Sequence, residues 1–416
     1  MSTLALALRG RTFRSLRRHR NYRLYFTGQL VSVAGTWMQN IALAWLVIQL
    51  SNSALAVGAL AFARFLPFLL LGLVAGVVVD RFDTRRLLIG TQASAMVISI
   101  ALAIVTLMGV ASLPVVYALA AAGGLVLVLD SPGRQTLTFQ MVGPSELPNA
   151  VALNSGLFNA SRVVGPALAG IAIAVVGVGF CFVINAISFL AVLVALRVIR
   201  EDELTPVVKS RNTRVLAGIR EGISWSVHSP LALTVLAVVS VVATVGFNFN
   251  VLVPLLASQT LHVGAGMFGV LSASFGLGAL GGALMTATLG RASPRTFAAG
   301  ALGFSLTMLA LAPVRTPGIA LVLLFALGLS FSLFTASANA LVQLASPDHL
   351  RGRVVSLYLF AFVGLAPIGG LVSGWLAERG GTELAFTVAG LAGVAAIAWA
   401  YPRLRAAGRG IAPAST

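Results

Sequence analysis

The chain holds one cysteine, Cys181, one lysine, Lys209, four histidines and eleven acidic side chains in 416 residues. A lone cysteine closes no intramolecular disulfide. His19, His228, His262 and His349 fall near expected helix ends or loops, so haem, iron–sulfur and zinc ligand sets cannot be assembled. A phosphate-cradling loop needs glycine directly before its lysine, and Val208 precedes Lys209, which excludes ATP hydrolysis by such a loop. No Ser-His-Asp constellation can be built from so few polar residues. The composition therefore predicts no enzyme, no cofactor and no bound metal.

What is present is apolar. The hydrophobic share is 58% and the charged share 9%, against roughly 25% charged in soluble proteins. Stretches without Asp, Glu, Lys or Arg run from Leu87 to Leu129, Val163 to Leu196, Gly222 to Gly290 and Thr316 to Pro347. A helix crosses about 30 Å of hydrocarbon with about 20 residues, so the longer stretches hold helix pairs. A β-barrel would show strands of about ten alternating residues, which are not seen here. The fold class expected is an all-α polytopic membrane protein embedded in a lipid bilayer. Turn residues and charges place twelve spans near 24–49, 54–79, 87–108, 113–138, 149–176, 180–199, 230–257, 266–289, 296–313, 317–343, 353–377 and 383–402.

A formal charge of +17 would point to nucleic acid in a soluble protein, but in a membrane protein it is a topology signal. With both termini cytoplasmic, 24 of the 28 basic residues fall on the inner side, among them Arg9, Arg11, Lys209, Arg211, Arg214 and Arg291. Arg315 and Arg379 fall outside, and Arg64 and Arg162 within the membrane. The first apolar segment is too long for a signal-peptide core and is expected to be retained. The organisation expected is a basic tail (1–23), a six-helix bundle (24–199), a cytoplasmic linker (200–229), a second bundle (230–402) and a short tail (403–416). Val215, Ile219 and Ile223 give the linker an interfacial amphipathic helix. Pro144, Leu147 and Val151 recur 203 residues later as Pro347, Leu350 and Val354, and such duplication is a transporter signature. Arginine in place of lysine, with abundant Ala and Gly, fits a bacterial cytoplasmic membrane.

The second span ends in Gly76, Asp80, Arg81, Arg85 and Arg86, a pattern that resembles the loop motif of the major facilitator superfamily, Gly-x-x-x-Asp-Arg-x-Gly-Arg-Arg. Asp83 and Thr84 stand where that motif has Gly and Arg. The fifth span carries Ser161, Gly165, Pro166, Ala169 and Gly170, similar to the superfamily's antiporter motif with two glycines replaced. Asn21-Tyr-Arg-Leu-Tyr-Phe, Asp130-Ser-Pro-Gly-Arg134-Gln, Glu221-Gly222 and Arg351-Gly-Arg353-Val354 extend the likeness from about Arg20 to Trp399. They resemble the branch with enterobactin exporters and macrolide efflux proteins. The resemblance implies a major facilitator fold of twelve helices in two six-helix halves, proton antiport and export. It implies that the acid of the first motif meets span eleven and its arginines reach span four, with Arg85 as a substitute, to form a gate. It also implies that spans one, four, seven and ten line the pathway. Small residues and a proline make Gly165, Pro166 and Gly170 a hinge or a plain packing face.

A charge at mid-span costs about 2.5–3.5 kcal/mol on insertion scales and should face a cavity or a partner. Arg64, Asp130 and Arg162 qualify. Asp130 is a candidate proton carrier with Arg162 as its modulator, or else a structural partner of Arg134, Arg85 or Arg162. Gln29, Ser32, Thr36, Gln39 and Asn40 form a polar stripe on span one. Ser332, Thr335, Asn339 and Gln343 do so on span ten, and Ser240, Thr244 and Phe247, with Asn248 and Asn250 nearby, on span seven. These stripes are the candidate substrate-binding lumen, although single hydroxyls often bond to their own helix.

The sequence reading is a monomeric secondary transporter working by alternating access, coupled to protons and exporting a siderophore-like or other small amphiphilic molecule. Two arginines against one aspartate favour neutral or anionic cargo over lipophilic cations. A multidrug or macrolide pump and a non-transporting membrane sensor or assembly factor are the alternatives.

Overall fold

A computed structural model describes residues 12–206, 215–289 and 292–410. Arg9, Arg11, Lys209, Arg211, Arg214 and Arg291 lie outside the described residues. Every long element among the described residues is a helix, as hydrocarbon requires of a chain whose backbone groups must be satisfied internally.

A short helix, Arg14–Arg18, leads into the first span, Arg20–Ser51. Ala54–Arg81 and Thr84–Leu107 follow. The run Leu113–Val176 is helical throughout except at Gly143, whose φ of 68° and ψ of 178° are open only to glycine, so it holds the fourth and fifth spans. Val178–Val198 closes the first half. The second half comprises Pro230–Thr260, Ala265–Leu289, Pro294–Leu311 and Pro317–Ala345. Its last run, Arg351–Ala406, divides at Gly381 with φ 67° and ψ −179°. Among the described residues this gives twelve spans, six before the linker and six after it, the arrangement of the major facilitator fold.

Local chemistry explains the helix starts. Asp83 accepts from the Arg86 N–H at 2.8 Å, Ser53 from the Ala56 N–H at 3.2 Å, and Ser293 with Thr296 forms a reciprocal capping box. Proline opens the spans beginning at 230, 294 and 317, where a missing N–H goes unnoticed. On the third span Val97, Ile100, Ile104 and Leu107 are exposed at helical spacing while Ser99, Leu102 and Ala103 are buried. The exposed stripe is a lipid-facing surface.

Span seven departs from the uninterrupted helix expected over 230–257. It breaks at Gly246–Asn248, restarts as Phe249–Leu255 and ends in a π-helical turn, Leu256–Thr260. Asn248 restrains the break by donating its side-chain amide to the Thr244 carbonyl at 2.8 Å. Span eleven carries a matching π turn at Phe360–Gly364. The linker helix, Val215–His228, packs Gly218 and Gly222 against Arg353, with Ser226 also buried. Ile223 points away from the protein. The face toward span eleven is made of small residues, because Arg353 occupies the space and pairs with Glu221.

Backbone approach between small residues joins the halves. A Cβ on Gly58 of span two would stand 2.6 Å from the Gly370 carbonyl oxygen of span eleven. One on Gly269 of span eight would stand 2.6 Å from the Pro166 oxygen of span five, and one on Gly170 2.9 Å from the Gly266 oxygen. These contacts lie in the half of the membrane away from the termini. There the Glu378 carboxylate of span eleven accepts from the Ala54 N–H at 2.6 Å, the Leu55 N–H at 3.1 Å and the Ser53 hydroxyl at 3.1 Å. The Gln259 amide adds a bond to the Asn52 carbonyl at 3.0 Å. These bonds and the glycine contacts close the two halves against each other at the end away from the termini.

A carboxylate at a helix N-terminus is worth about 0.3–1 kcal/mol from the dipole alone. Glu378→Gln should therefore shift the population toward opening of that end. Spin labels at positions 110 and 318, in a Cys181→Ala background, should report a longer distance in the variant. An unchanged distance distribution would mean that the glycine contacts alone hold the closure.

Candidate functional site

Asp130 and Arg162 head two separate polar centres in the membrane interior. The first centres on Asp130, which is 4% exposed. Its carboxylate accepts from the Thr91 hydroxyl at 2.8 Å and the Gln92 amide at 2.6 Å, and pairs with Arg134 one turn along span four. Arg134 reaches on to the Gln29 carbonyl oxygen of span one. Three spans thus share one ion pair whose lone pairs are filled by neutral donors, the condition under which a buried pair is tolerated.

The expected alternative partner, Arg162, is not part of this network. Counting about 1.5 Å per residue from the break at Gly143, Asp130 lies roughly 20 Å up span four and Arg162 roughly 29 Å up span five. The carboxylate also faces span three, whereas Arg162 faces the second half. Of the open readings for Asp130, the geometry displays the pair with Arg134.

Arg162 is 8% exposed and forms the second centre. Its guanidinium carbon lies 5.3 Å from the ring centre of Trp37, 5.0 Å from Phe249, 5.2 Å from Phe275 and 5.1 Å from Phe331. Spans one, seven, eight and ten each supply one ring, so three rings of the second half and one of the first box a cation that belongs to the first half. Cation–π contacts of this kind contribute about 0.5–2 kcal/mol each. The cage continues into a cluster in which Phe247 stacks on Phe331 at 5.0 Å and meets Phe249 at 5.2 Å and Phe362 at 4.6 Å. Beside the guanidinium is a pocket of about 20 Å³, room for roughly one water-sized group. Trp37, Asn40, Asn250, Phe268, Ser272 and Phe275 are among the residues that line it. The Arg162 Nε, the Asn40 Oδ1 and the Ser161 hydroxyl are buried without hydrogen-bond partners.

The remaining expected site residues separate into lumen and framework. Gln29 joins the Asp130 network, and Ser32 is fully buried with its hydroxyl unpartnered. Gln39 does not face the lumen: its side-chain carbonyl accepts from Ser99 of span three at 2.7 Å and Asn185 of span six at 2.8 Å. Gly35 on the same side touches Asn185 and Ser188, so this edge of the stripe packs inside the first half. Thr36, Thr244 and Thr335 donate to the carbonyls of Ser32, Ser240 and Phe331 on their own helices. Asn339 accepts from Gln343 at 2.9 Å, and Ser332 is 7% exposed. Of the span-one residues proposed for the lumen, only Asn40 lines the Arg162 pocket.

Arg64 is half-buried, lies 5.9 Å from the Phe65 ring centre and has no ion pair among the described residues. Its backbone carbonyl abuts Gly124, where spans two and four meet. In the loop after span two, Arg85 does not reach span four. It donates to the carbonyls of Leu196 at 2.7 Å and Arg197 at 2.9 Å and pairs with Glu201, which fastens the end of span six and the linker's start. Arg81 and Arg86 are exposed. The side chains of Gly76 and Asp80 lie outside the described residues, so the contact expected between Asp80 and span eleven is not displayed. Gly165 packs against Trp37 and the Ala34 carbonyl of span one; Pro166 and Gly170 meet span eight.

Sequence reading missed Trp37, Phe249, Phe275 and Phe331 as a group. Single aromatics in four distant Ala/Gly/Val-rich spans have no spacing to betray them. The one available signal was Arg162 itself, a buried cation that had to find something.

A model of the family described as transmembrane secretion effectors matches residues 12–409. The chain is 31% identical over 392 residues to the multidrug efflux pump Tap of Mycolicibacterium fortuitum, covering 90% of this chain and 94% of that protein. It is 25% identical to the staphyloferrin A transporter of Staphylococcus aureus, over 88% of this chain and 92% of that one. The peptide transporter POT superposes with a TM-score of 0.78 at 14% identity, covering 94% and 95% of the two chains, a likeness of fold alone.

Breaking a buried pair by removing one partner is destabilising by about 3–5 kcal/mol. Asp130→Asn and Arg134→Gln should each lower the melting temperature, and the double variant should fall short of their sum by at least about 1 kcal/mol. Strict additivity in that cycle would show that the pair contributes no coupling.

Proposed function

The chain belongs to the transmembrane secretion effector family of the major facilitator superfamily, and we propose that it exports a small amphiphilic molecule across a bacterial cytoplasmic membrane in exchange for protons. It is a multi-pass membrane transporter; direction, coupling and cargo are the proposed part. The observation that carries the reading is the one-sided closure between the halves. Gly58 against Gly370, Gly170 against Gly266 and Glu378 over the start of span two seal the end away from the termini. With the basic loops and both termini placed in the cytoplasm by the positive-inside rule, this is the conformation that receives cargo from inside.

Relatives along nearly the full length are a multidrug efflux pump and a siderophore transporter by name, which supports a small-molecule cargo. The broken seventh span, with π turns in spans seven and eleven beside the aromatic cluster, supports a site at the meeting of the halves, since such irregular backbone recurs at functional sites. Asp130 remains the proposed proton-responsive carboxylate, acting through its release of Arg134. The functional unit is proposed to be a monomer, as both halves come from one chain. The adaptable ring cluster around Phe247 favours a second cargo reading, a multidrug pump with a broad apolar pocket.

Everted vesicles containing the protein should accumulate cargo from a panel of siderophores, macrolides and lipophilic dyes when an inward-acid gradient is imposed. A protonophore should abolish the uptake. Accumulation that ignores the gradient would remove proton coupling, and none for any compound would remove export.

A further inference from the structure

The pocket beside Arg162 holds one fixed charge, the guanidinium. The other polar groups at its wall, the amides of Asn40 and Asn250 and the Ser272 hydroxyl, can turn a donor toward a ligand, although the Asn40 Oδ1 is itself an acceptor without a partner. Among the described residues no Asp or Glu lines it. The four rings cover the guanidinium at 5.0–5.3 Å, and an aromatic face offers no lone pair to an in-plane N–H. The Nε accordingly stays without a hydrogen-bond partner although the side chain is more than nine-tenths buried. The aromatic box disperses the charge, and the donor edge is left for something else.

We propose that Arg162, with Asn40 and Ser272, is the anion subsite of the transport pathway, and that it selects cargo carrying a carboxylate next to an aromatic or otherwise flat apolar body. This rests on the export reading and narrows its cargo class. Guanidinium and carboxylate match as a fork of parallel N–H to oxygen bonds, a geometry that a neutral amide or ester reproduces poorly. The pocket of about 20 Å³ is too small for such a body, so the flat part lies against Trp37, Phe249 and Phe275 when the halves part and uncover those rings. A cationic cargo would meet the buried guanidinium at contact range in a low dielectric and is rejected there. The site straddles the halves, since Arg162, Asn40 and Trp37 belong to the first and Phe249, Ser272, Phe275 and Phe331 to the second. An anion bound at Arg162 therefore weighs on the equilibrium that separates Arg162 from its rings.

The test uses the full chain purified in detergent and three probes of one shape: 2-naphthoate, 2-naphthamide and 2-naphthylmethylammonium. Saturating 2-naphthoate should raise the melting temperature by roughly 2–4 °C, with little change from the other two. Arg162→Gln should abolish the naphthoate shift, and Arg162→Lys should retain part of it. Should Arg162→Gln not fold, Asn40→Asp places an acid at the pocket wall and should weaken naphthoate roughly tenfold or more. Equal shifts from naphthoate and naphthamide, a larger shift from the ammonium, no shift from any probe, or a naphthoate shift that survives both Arg162→Gln and Asn40→Asp would each overturn the assignment. Proton-driven efflux of other compounds with no preference for naphthoate would sink this inference and leave the export reading standing. Naphthoate binding lost in Arg162→Gln, without proton-driven uptake in vesicles, would do the reverse.

Discussion

Inside hydrocarbon a polar atom is partnered by the protein or by nothing, and that constraint sorts nearly everything described above. Asp130 sits where Thr91, Gln92 and Arg134 can complete its coordination. Thr36, Thr244 and Thr335 return their hydroxyls to their own backbones. Other buried groups among the described residues go unpartnered, the Gln29 Nε2 and Gln92 Oε1 atoms beside Asp130 among them, and three, on Arg162, Asn40 and Ser161, cluster where the halves meet. A scarcity of polar residues makes each unsatisfied one conspicuous.

The same scarcity shapes the contact between halves. Without a hydrophobic driving force between helices in lipid, association depends on close packing of small residues, and Gly58, Gly170, Gly269 and Gly370 bring backbones together where any larger side chain would collide. Contacts of that kind fit in one arrangement or not at all, which suits packed elements that are bistable and not continuously deformable. Glu378 adds an electrostatic clasp to the same edge.

The twelve spans were legible because helix length, turn residues and charge placement are local and repeat along the chain. The expected fourth and fifth spans, 113–138 and 149–176, leave a gap between them, and Gly143 with its positive φ is the break inside that gap. Site geometry was legible only in part. Asp130, Arg162 and Arg64 announced themselves as charges in apolar runs, but which of them pair depends on the rotation of spans about their axes and on depth, and neither is written in spacing. Gln39 shows the limit: it shares a helical stripe with Asn40, yet a turn of 100° sends one into the first half and the other to the pocket. The cage around Arg162 is non-local, with rings drawn from positions between 37 and 331.

The membrane's electric field also acts on these buried charges. Asp130 and Arg134 cancel, while Arg64 and Arg162 have no carboxylate beside them among the described residues, so the protein's interior is electrically positive. One elementary charge moved across the full field gains or loses about 2.3 kcal/mol per 100 mV. A rocking motion that carries Arg162 through a fifth of that field would thus change the energy by about 0.5 kcal/mol at 100 mV, roughly a twofold change in population. The resting voltage of the cell, negative inside, thereby becomes an input to which way the molecule faces, independent of any proton it carries.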